Sequence, residues 1–150
     1  MKLLAITAFS VALLAAGCSG SSDTADAPDI GSTEPAAEAA GAGIRVIDAA
    51  DALAIQSDAP ADLVVLDVRT ADEFAEGHIE GAVMLDFYDP DFAAQIAELD
   101  PDVPYLLYCR SGNRSGQTTE IMDQLGFTDV ADVDGGILAW ADAGLPVVTE

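Results

Sequence analysis

Basic residues are scarce in this chain of 150 residues: lysine and arginine together number five, against 27 aspartates and glutamates, for a formal net charge of −22 at pH 7. A nucleic-acid-binding surface needs a patch of basic side chains to neutralise phosphates, so this balance argues against a nucleic-acid partner. Beyond Lys2, the cations are Arg45, Arg69, Arg110 and Arg114. The last three fall in two short motifs, and an acidic protein that concentrates its cations in this way is expected to bind a small anion there.

Long apolar runs are also lacking, since none reaches the roughly 20 residues of an ordinary transmembrane helix. The longest, residues 3–16, follows a lysine and is interpreted as a secretory signal. It ends in Leu14-Ala15-Ala16-Gly17-Cys18, which resembles the signal of bacterial lipoproteins, where cleavage precedes a cysteine that is then lipidated. The resemblance implies a signal peptide over 1–17 and a lipid on Cys18 that anchors an exported protein at a bacterial membrane, facing the periplasm or the cell exterior. The alternatives are a plain signal peptide or an uncleaved anchor.

Large apolar side chains are almost absent from residues 18–43, which are rich in serine, glycine, alanine and acidic residues. Such a segment cannot bury enough surface to offset its conformational entropy, so we expect a disordered acidic tether after the lipidated cysteine. A single globular domain is predicted over residues 44–150, and we find no internal repeat.

Strands and helices alternate along this predicted domain. Strands are expected at 44–47, 63–66, 82–85, 105–108 and 130–133, and helices at 48–55, 70–75, 92–99, after the loop that follows Cys109, and at 136–143. This order predicts an α/β domain with a mainly parallel central sheet flanked by helices. Sites in such sheets form beyond the carboxyl ends of the strands, where Arg69 and Cys109 both lie.

The stretch Cys109-Arg110-Ser111-Gly112-Asn113-Arg114-Ser115 lies between a predicted strand and a predicted helix. This arrangement places backbone N–H groups and the positive end of a helix around the cysteine sulfur. With Arg110 and Arg114 nearby, the thiol pKa is expected to fall below its usual value of about 8.5, which favours the reactive thiolate. A buried structural cysteine is the alternative, although such cysteines favour apolar neighbours.

Cysteine number supports the catalytic interpretation. The chain has two cysteines, and if Cys18 carries a lipid, Cys109 has no intrachain partner. Cysteines of exported proteins usually form disulfides, so a single free cysteine needs a reason, of which catalysis is the simplest. Nothing in the sequence indicates a metal or an organic cofactor.

The loop from Cys109 to Arg114 resembles the six-residue active loop of single-domain rhodaneses, a family of sulfurtransferases. Three further stretches share the family's pattern: Asp67-Val68-Arg69 with Glu73-Phe74 and Gly77-His78-Ile79, then Gly81-Ala82, and finally Gly135-Gly136 with Trp140 and Gly144-Leu145-Pro146. The resemblance covers roughly residues 44–148. It implies a rhodanese-like fold and the transfer of a sulfane sulfur from thiosulfate or a persulfide, through a persulfide on Cys109, to a thiol or cyanide acceptor.

The resemblance also implies a role for each residue of the site. Cys109 is the expected nucleophile, and the expected binding residues are Arg110, Ser111, Gly112, Asn113, Arg114 and Ser115, whose N–H groups would hold the anionic sulfur. Arg114, Arg110 and Arg69 are expected to orient the anionic donor. Asp67 is expected to orient Arg69 or the loop, and His78 to be structural, because the family's chemistry needs no histidine base.

Two other functions remain open at this stage. A cysteine phosphatase or arsenate reductase, which the same fold hosts, has five residues between its cysteine and arginine, whereas position 115 here is Ser115. The shorter loop should fit a sulfur atom better than a tetrahedral phosphate. A tethered module that carries persulfide to a protein partner, or senses sulfur, with little turnover of its own, would keep the same loop.

Overall fold

The structure, a computed structural model, describes residues 43–149. The predicted signal peptide, Cys18 and nearly all of the predicted tether lie outside the described residues. Within this range the strands are β1 (Gly43–Ile47), β2 (Val64–Asp67), β3 (Val83–Met84), β4 (Tyr105–Tyr108) and β5 (Asp129–Val133). The helices are α1 (Ala49–Ser57), α2 (Ala71–Glu76), α3 (Phe92–Ala97), α4 (Asn113–Gln124) and α5 (Gly136–Asp142). No helix among residues 43–149 has the length and apolar character needed to cross a membrane.

The five strands form one sheet in the order β1-β5-β4-β2-β3, and every neighbouring pair is parallel. The predicted α/β fold with a mainly parallel sheet flanked by helices is therefore confirmed. All four residues of β4 are buried, because a central parallel strand is covered on both faces and must be apolar throughout. Asp67 at the end of β2 is the register partner of Tyr108 at the end of β4. The carboxyl ends of these two strands thus meet at one edge.

Helices cover both faces of the sheet, and each face has its own apolar core. Leu106 and Tyr108 pack with Trp140 on the face covered by α1 and α5, whereas Leu107 packs with Met122 on the face covered by α3 and α4. Burial of each such large side chain contributes about 1.5–3 kcal/mol. Because side chains alternate along a strand, Cys109, two residues beyond Leu107, belongs to the α3/α4 face.

Several element boundaries differ from the predicted ones for local reasons. The helix α1 begins one residue later than predicted, because Asp48 is its N-cap and accepts hydrogen bonds from the N–H groups of Ala50 and Asp51. The strand β3 has two residues instead of four, since it pairs with β2 alone at the edge of the sheet. The helix α4 ends at Gln124, and Gly126 follows with a positive φ of 83°, as predicted for the residue that ends this helix.

Candidate active site

Cys109 lies at the carboxyl end of β4 and is 1% exposed. The chain turns sharply after it, so that α4 begins only four residues later. Gly112, the residue before the helix, has a φ of +91°, which an L side chain rarely adopts. This turn brings the N–H of Gly112 to 3.1 Å from the Cys109 Sγ, and the Ser115 hydroxyl to 3.5 Å from it. The sulfur therefore sits at the N-terminus of α4, as the strand-loop-helix order predicts.

The surroundings of Cys109 favour its ionised form. Burial alone would raise the pKa of the thiol, because a charged sulfur loses solvation. Hydrogen bonds from the Ser115 hydroxyl and from the backbone N–H groups of Ser115, Ser111 and Gly112 outweigh burial and lower the pKa of Cys109 below its ordinary value. The thiolate is thus stabilised by donors that are already in place, which is the condition for a reactive cysteine.

The first turn of α5 binds two backbone carbonyl groups of the active loop. The N–H of Ile137 donates to the Cys109 carbonyl at 2.9 Å, and the N–H of Leu138 donates to the Arg110 carbonyl at 3.2 Å. Gly136 has a φ of +59°, and a Cβ at this position would collide with the backbone of Cys109 and Arg110. With the loop carbonyls bound to α5, the loop N–H groups are left to face the sulfur. The glycine pair at 135–136 therefore allows α5 to pack closely against the active loop.

Arg114 lies beside the sulfur, but its charge already has a partner. Its guanidinium forms two hydrogen bonds to the Glu73 carboxylate, Nη1 to Oε2 at 2.7 Å and Nη2 to Oε1 at 2.8 Å. Glu73 is the third residue of α2 and completes a capping box with Thr70. The bonds from Arg114, aided by those from Thr70, lower the pKa of Glu73 to about 2. The pair therefore stays ionised throughout the neutral range.

A cavity of about 400 Å³ opens above Cys109. Its lining residues are Glu73, Tyr88, Cys109, Arg110, Ser111, Asn113 and Arg114. Arg110 is exposed and, in the part of the chain that the structure describes, it is the one arginine that forms no ion pair. The cavity thus offers an anion one uncompensated guanidinium, next to a buried thiolate.

The sequence model of the family described as "Rhodanese-like domain" matches residues 48–143. The chain belongs to the rhodanese-like domain family. The family and the rhodanese-like fold that the sequence predicts are confirmed. This match spans every element that builds the cavity and the active loop.

Individual rhodanese-like relatives agree with this assignment. A protein named sulfurtransferase from Allochromatium vinosum is 38% identical over 87 residues, which cover 58% of this chain and 79% of that protein. The thiosulfate sulfurtransferase GlpE of Pseudomonas putida is 42% identical over 78 residues, covering 51% and 68% of the two chains. Among solved structures, a rhodanese-related protein from Thermoplasma volcanium is 35% identical with a TM-score of 0.60, and the likeness covers 71% of this chain and 99% of that one.

Arg69 occupies a different place in this rhodanese-like domain from the one that the sequence predicts. Its guanidinium donates to the Asp67 carboxylate, at 2.7 Å from Nη2 to Oδ2, and to the Gly77 carbonyl at 2.7 Å. It also lies over the Tyr108 ring, 5.6 Å from the centroid. Its side chain is 5% exposed and does not line the cavity. The expectation that Arg69 orients the donor is therefore corrected: it ties the end of β2 to the turn after α2.

The other predicted residues lie together at the mouth of the site. The loop from Arg110 to Ser115 surrounds the sulfur, and Arg110, Ser111, Asn113 and Arg114 line the cavity. His78 lies apart from the cavity, buried and stacked on Phe74 with ring centroids 3.8 Å apart.

Sequence reasoning missed two residues that line the cavity, Glu73 and Tyr88, and one buried carboxyl group on the same face of the sheet as Cys109, that of Asp132. For Glu73 a signal was present, because a glutamate three residues after Thr70 is the spacing of a capping box. For Asp132 the signal was an acidic residue inside the apolar strand Val130-Ala131-Asp132-Val133, since a buried charge is costly and needs a reason. For Tyr88, which is 68% exposed beside Arg114, no local pattern points to the cavity.

Proposed function

We propose that this rhodanese-like domain is a sulfurtransferase that moves a sulfane sulfur from thiosulfate or a persulfide, through a Cys109 persulfide, to a thiol or cyanide acceptor. The observation that carries the proposal is the buried Cys109 sulfur with backbone N–H donors around it, at the floor of a cavity that bears an unpaired arginine. The names of the relatives from Allochromatium vinosum and Pseudomonas putida support the same chemistry. No organic cofactor and no metal enters the reaction.

The reaction needs two displacements at sulfur. The Cys109 thiolate attacks the outer sulfur of the donor, an S–S bond forms to Sγ, and the bond between the outer sulfur and the rest of the donor breaks. Its electron pair leaves with sulfite, when thiosulfate is the donor, or with a thiolate. An acceptor thiolate or cyanide then attacks the outer sulfur of the persulfide and returns Cys109 as thiolate. Covalent catalysis of this kind gives ping-pong kinetics.

The loop N–H groups stabilise both forms of the nucleophile. The N–H of Gly112 lies 3.1 Å from Sγ. We expect the neighbouring loop N–H groups to bind the terminal sulfur of the persulfide, which extends one atom beyond Sγ. Arg110 supplies the charge that attracts the donor, because the charge of Arg114 is balanced by Glu73. We therefore expect Arg110→Ala to raise the KM for thiosulfate more than Arg114→Ala does.

The test is intact-protein mass spectrometry after incubation with thiosulfate. We expect the chain to gain the mass of one sulfur atom, which a reducing agent removes, and we expect Cys109→Ser to show no gain. Cys18→Ser is the matched control, since it removes the other cysteine and should leave the gain intact. Stable labelling with slow turnover, accelerated by a protein acceptor, would favour a persulfide carrier. No labelling by thiosulfate or by a small-molecule persulfide would contradict the proposal and direct attention to phosphate esters and to arsenate as substrates.

We also infer that Cys18 anchors the exported protein to a bacterial membrane. The support is the sequence Leu14-Ala15-Ala16-Gly17-Cys18 after an apolar run. Metabolic labelling with a radioactive fatty acid should mark the wild-type chain and spare Cys18→Ser, with Cys109→Ser as the control that keeps the label. Equal labelling of all three, or of none, would contradict the anchor.

A further inference from the structure

Asp132 is a buried carboxylate that the proposed reaction does not use. It lies in β5, is 4% exposed, and its Oδ1 has no hydrogen-bond partner. Among residues 43–149 this is the one buried side-chain oxygen or nitrogen without a partner. A carboxylate in such a place is costly, and most buried polar groups in native proteins are satisfied. An orphaned oxygen at this point of the sheet therefore calls for a physical explanation.

The sheet register places Asp132 close to the nucleophile. Leu107 of β4 is the register partner of Asp132, and Cys109 follows Leu107 by two residues, on the same face of the sheet. Val130, two residues before Asp132, also belongs to this face, which α4 covers. The first turn of α4 thus lies over both the carboxyl group and the sulfur.

Ser115 connects the two groups. It is the third residue of α4 and is fully buried. Its hydroxyl lies 3.5 Å from the Cys109 Sγ and 3.3 Å from the Gly112 carbonyl oxygen. Hydrogen bonding by Ser115 also works against the rise in the pKa of Asp132, which brings the Asp132 carboxyl group within reach of the same hydroxyl. A hydroxyl has a single proton to donate, so these acceptors compete for it.

We propose that Asp132 is a positioning residue for the Cys109 thiolate and acts through the Ser115 hydroxyl, whose proton the carboxyl group and the sulfur share. When Asp132 is ionised, the Ser115 proton turns towards the carboxylate and the sulfur loses a donor. When Asp132 carries a proton, the Ser115 hydroxyl is available to the sulfur. One proton is then held by the carboxyl group, the sulfur is the anion, and the pair keeps a single negative charge. The inference rests on the proposed function, because it assigns control of the same nucleophile.

The charges around Asp132 agree with this arrangement. Burial raises the pKa of Asp132 to about 6, the hydrogen bond from Ser115 opposes that rise, and the exposed Asp134 adds to it. From β1 the register partner is Val46, which carries no charge. From α4 the charged residue nearest the sulfur is Arg114, already paired with Glu73. No cation among these groups compensates Asp132, so the carboxyl group is neutralised by a proton rather than by an ion pair.

The experiment is a titration of thiolate ultraviolet absorbance in the full-length chain carrying Cys18→Ser, so that Cys109 is the only thiol. Asp132→Asn should lower the pKa of Cys109 by about one unit, because it removes a nearby negative charge and its amide can donate to the Ser115 oxygen. Asp134→Asn is the matched control and should give a much smaller shift, since its carboxylate is exposed and screened. An unchanged pKa in Asp132→Asn would overturn the inference.

A double-mutant cycle tests the connection through Ser115. In a Ser115→Ala background the effect of Asp132→Asn should shrink to less than half, because the shared proton is gone. An undiminished effect would overturn the relay. If Asp132→Asn does not fold, carbon NMR of the Asp132 carboxyl in Cys109→Ser provides the second readout: its pKa should fall, because the neighbouring anion is removed, and an unchanged value would overturn the proposal. Neither titration needs a sulfur donor, so failure of persulfide formation and failure of this inference are distinguishable.

Discussion

Arg114 and Glu73 form a two-pronged ion pair beside the nucleophile, with both guanidinium-carboxylate distances below 2.9 Å. The Glu73 carboxylate also accepts two hydrogen bonds from Thr70. The Thr70 hydroxyl donates to Glu73 Oε2 at 3.1 Å, and the Thr70 N–H donates to the same oxygen at 3.2 Å. The N-terminal cap of α2 thus sets the charge of the cavity. A donor that approaches Cys109 therefore meets an Arg114 whose charge is already balanced by Glu73.

Glu73→Gln should improve the binding of a dianionic donor. Glutamine retains the capping box, since it also serves at this position, but it leaves the Arg114 charge uncompensated. We expect the KM for thiosulfate to fall by about 3- to 10-fold, which corresponds to an interaction of about 1 kcal/mol for a partly exposed ion pair. Steady-state kinetics would measure it. Glu76→Gln, an exposed glutamate of the same helix, is the control, and equal KM values in the two variants would contradict this role of Glu73.

The same ion pair predicts how stability responds to acid. Because the pKa of Glu73 falls from 4.5 to about 2 on folding, its contribution is fully present above pH 4.5 and is lost as the pH falls towards 2. Wild type should therefore lose more free energy of unfolding than Glu73→Gln between pH 6 and pH 3, as measured by urea unfolding at each pH. Parallel curves for the two proteins would show that the carboxylate makes no such contribution.

Gly136→Ala should damage both stability and the active loop. The residue has a positive φ, and its new methyl group would press on the backbone of Cys109 and Arg110, so we expect a loss of about 3 kcal/mol together with slower persulfide formation. Gly81 also has a positive φ but has open space around it. Gly81→Ala should therefore cost about 1–2 kcal/mol and leave the rate of persulfide formation unchanged. Thermal melts and the mass-spectrometric assay would separate the two effects, and similar behaviour of both variants would contradict the role of the glycine.

Tyr108→Phe should destabilise the domain, because the Tyr108 hydroxyl binds a main-chain N–H group in the segment that contains Ile79. The Tyr108 hydroxyl accepts a hydrogen bond from the N–H of Ile79 at 3.1 Å, and both residues are fully buried. Removal of the oxygen leaves that N–H unsatisfied, at a cost of about 1–3 kcal/mol. Tyr105→Phe is the control, because its lost partner is the carbonyl of the exposed Asp100, which water can reach. Equal losses in denaturant unfolding would count against this account.

The local sequence was enough to predict the part of the site that consists of consecutive residues. Cys109, its loop and the helix after it are adjacent in sequence, so strand length, Gly112 and helical spacing were enough to place them. The partner of Arg114 could not be predicted in this way, because Glu73 belongs to another helix, α2. The two residues meet only when α2 and α4 take their places in the fold. Arg69 shows the opposite case. Asp67 and Arg69 are two residues apart at the end of a strand and share a face, so the expected contact between Asp67 and Arg69 follows from alternation, whereas the displacement of Arg69 from the cavity does not.

The dependence of the active loop on α5 has a consequence for how the protein is made. A ribosome releases Cys109 before it releases Ile137 and Leu138, whose N–H groups bind the carbonyls of Cys109 and Arg110. We therefore expect the active loop to reach its final geometry only when the last helix has docked. We expect a chain truncated before Gly136 to lack these two hydrogen bonds and to hold the active loop less firmly.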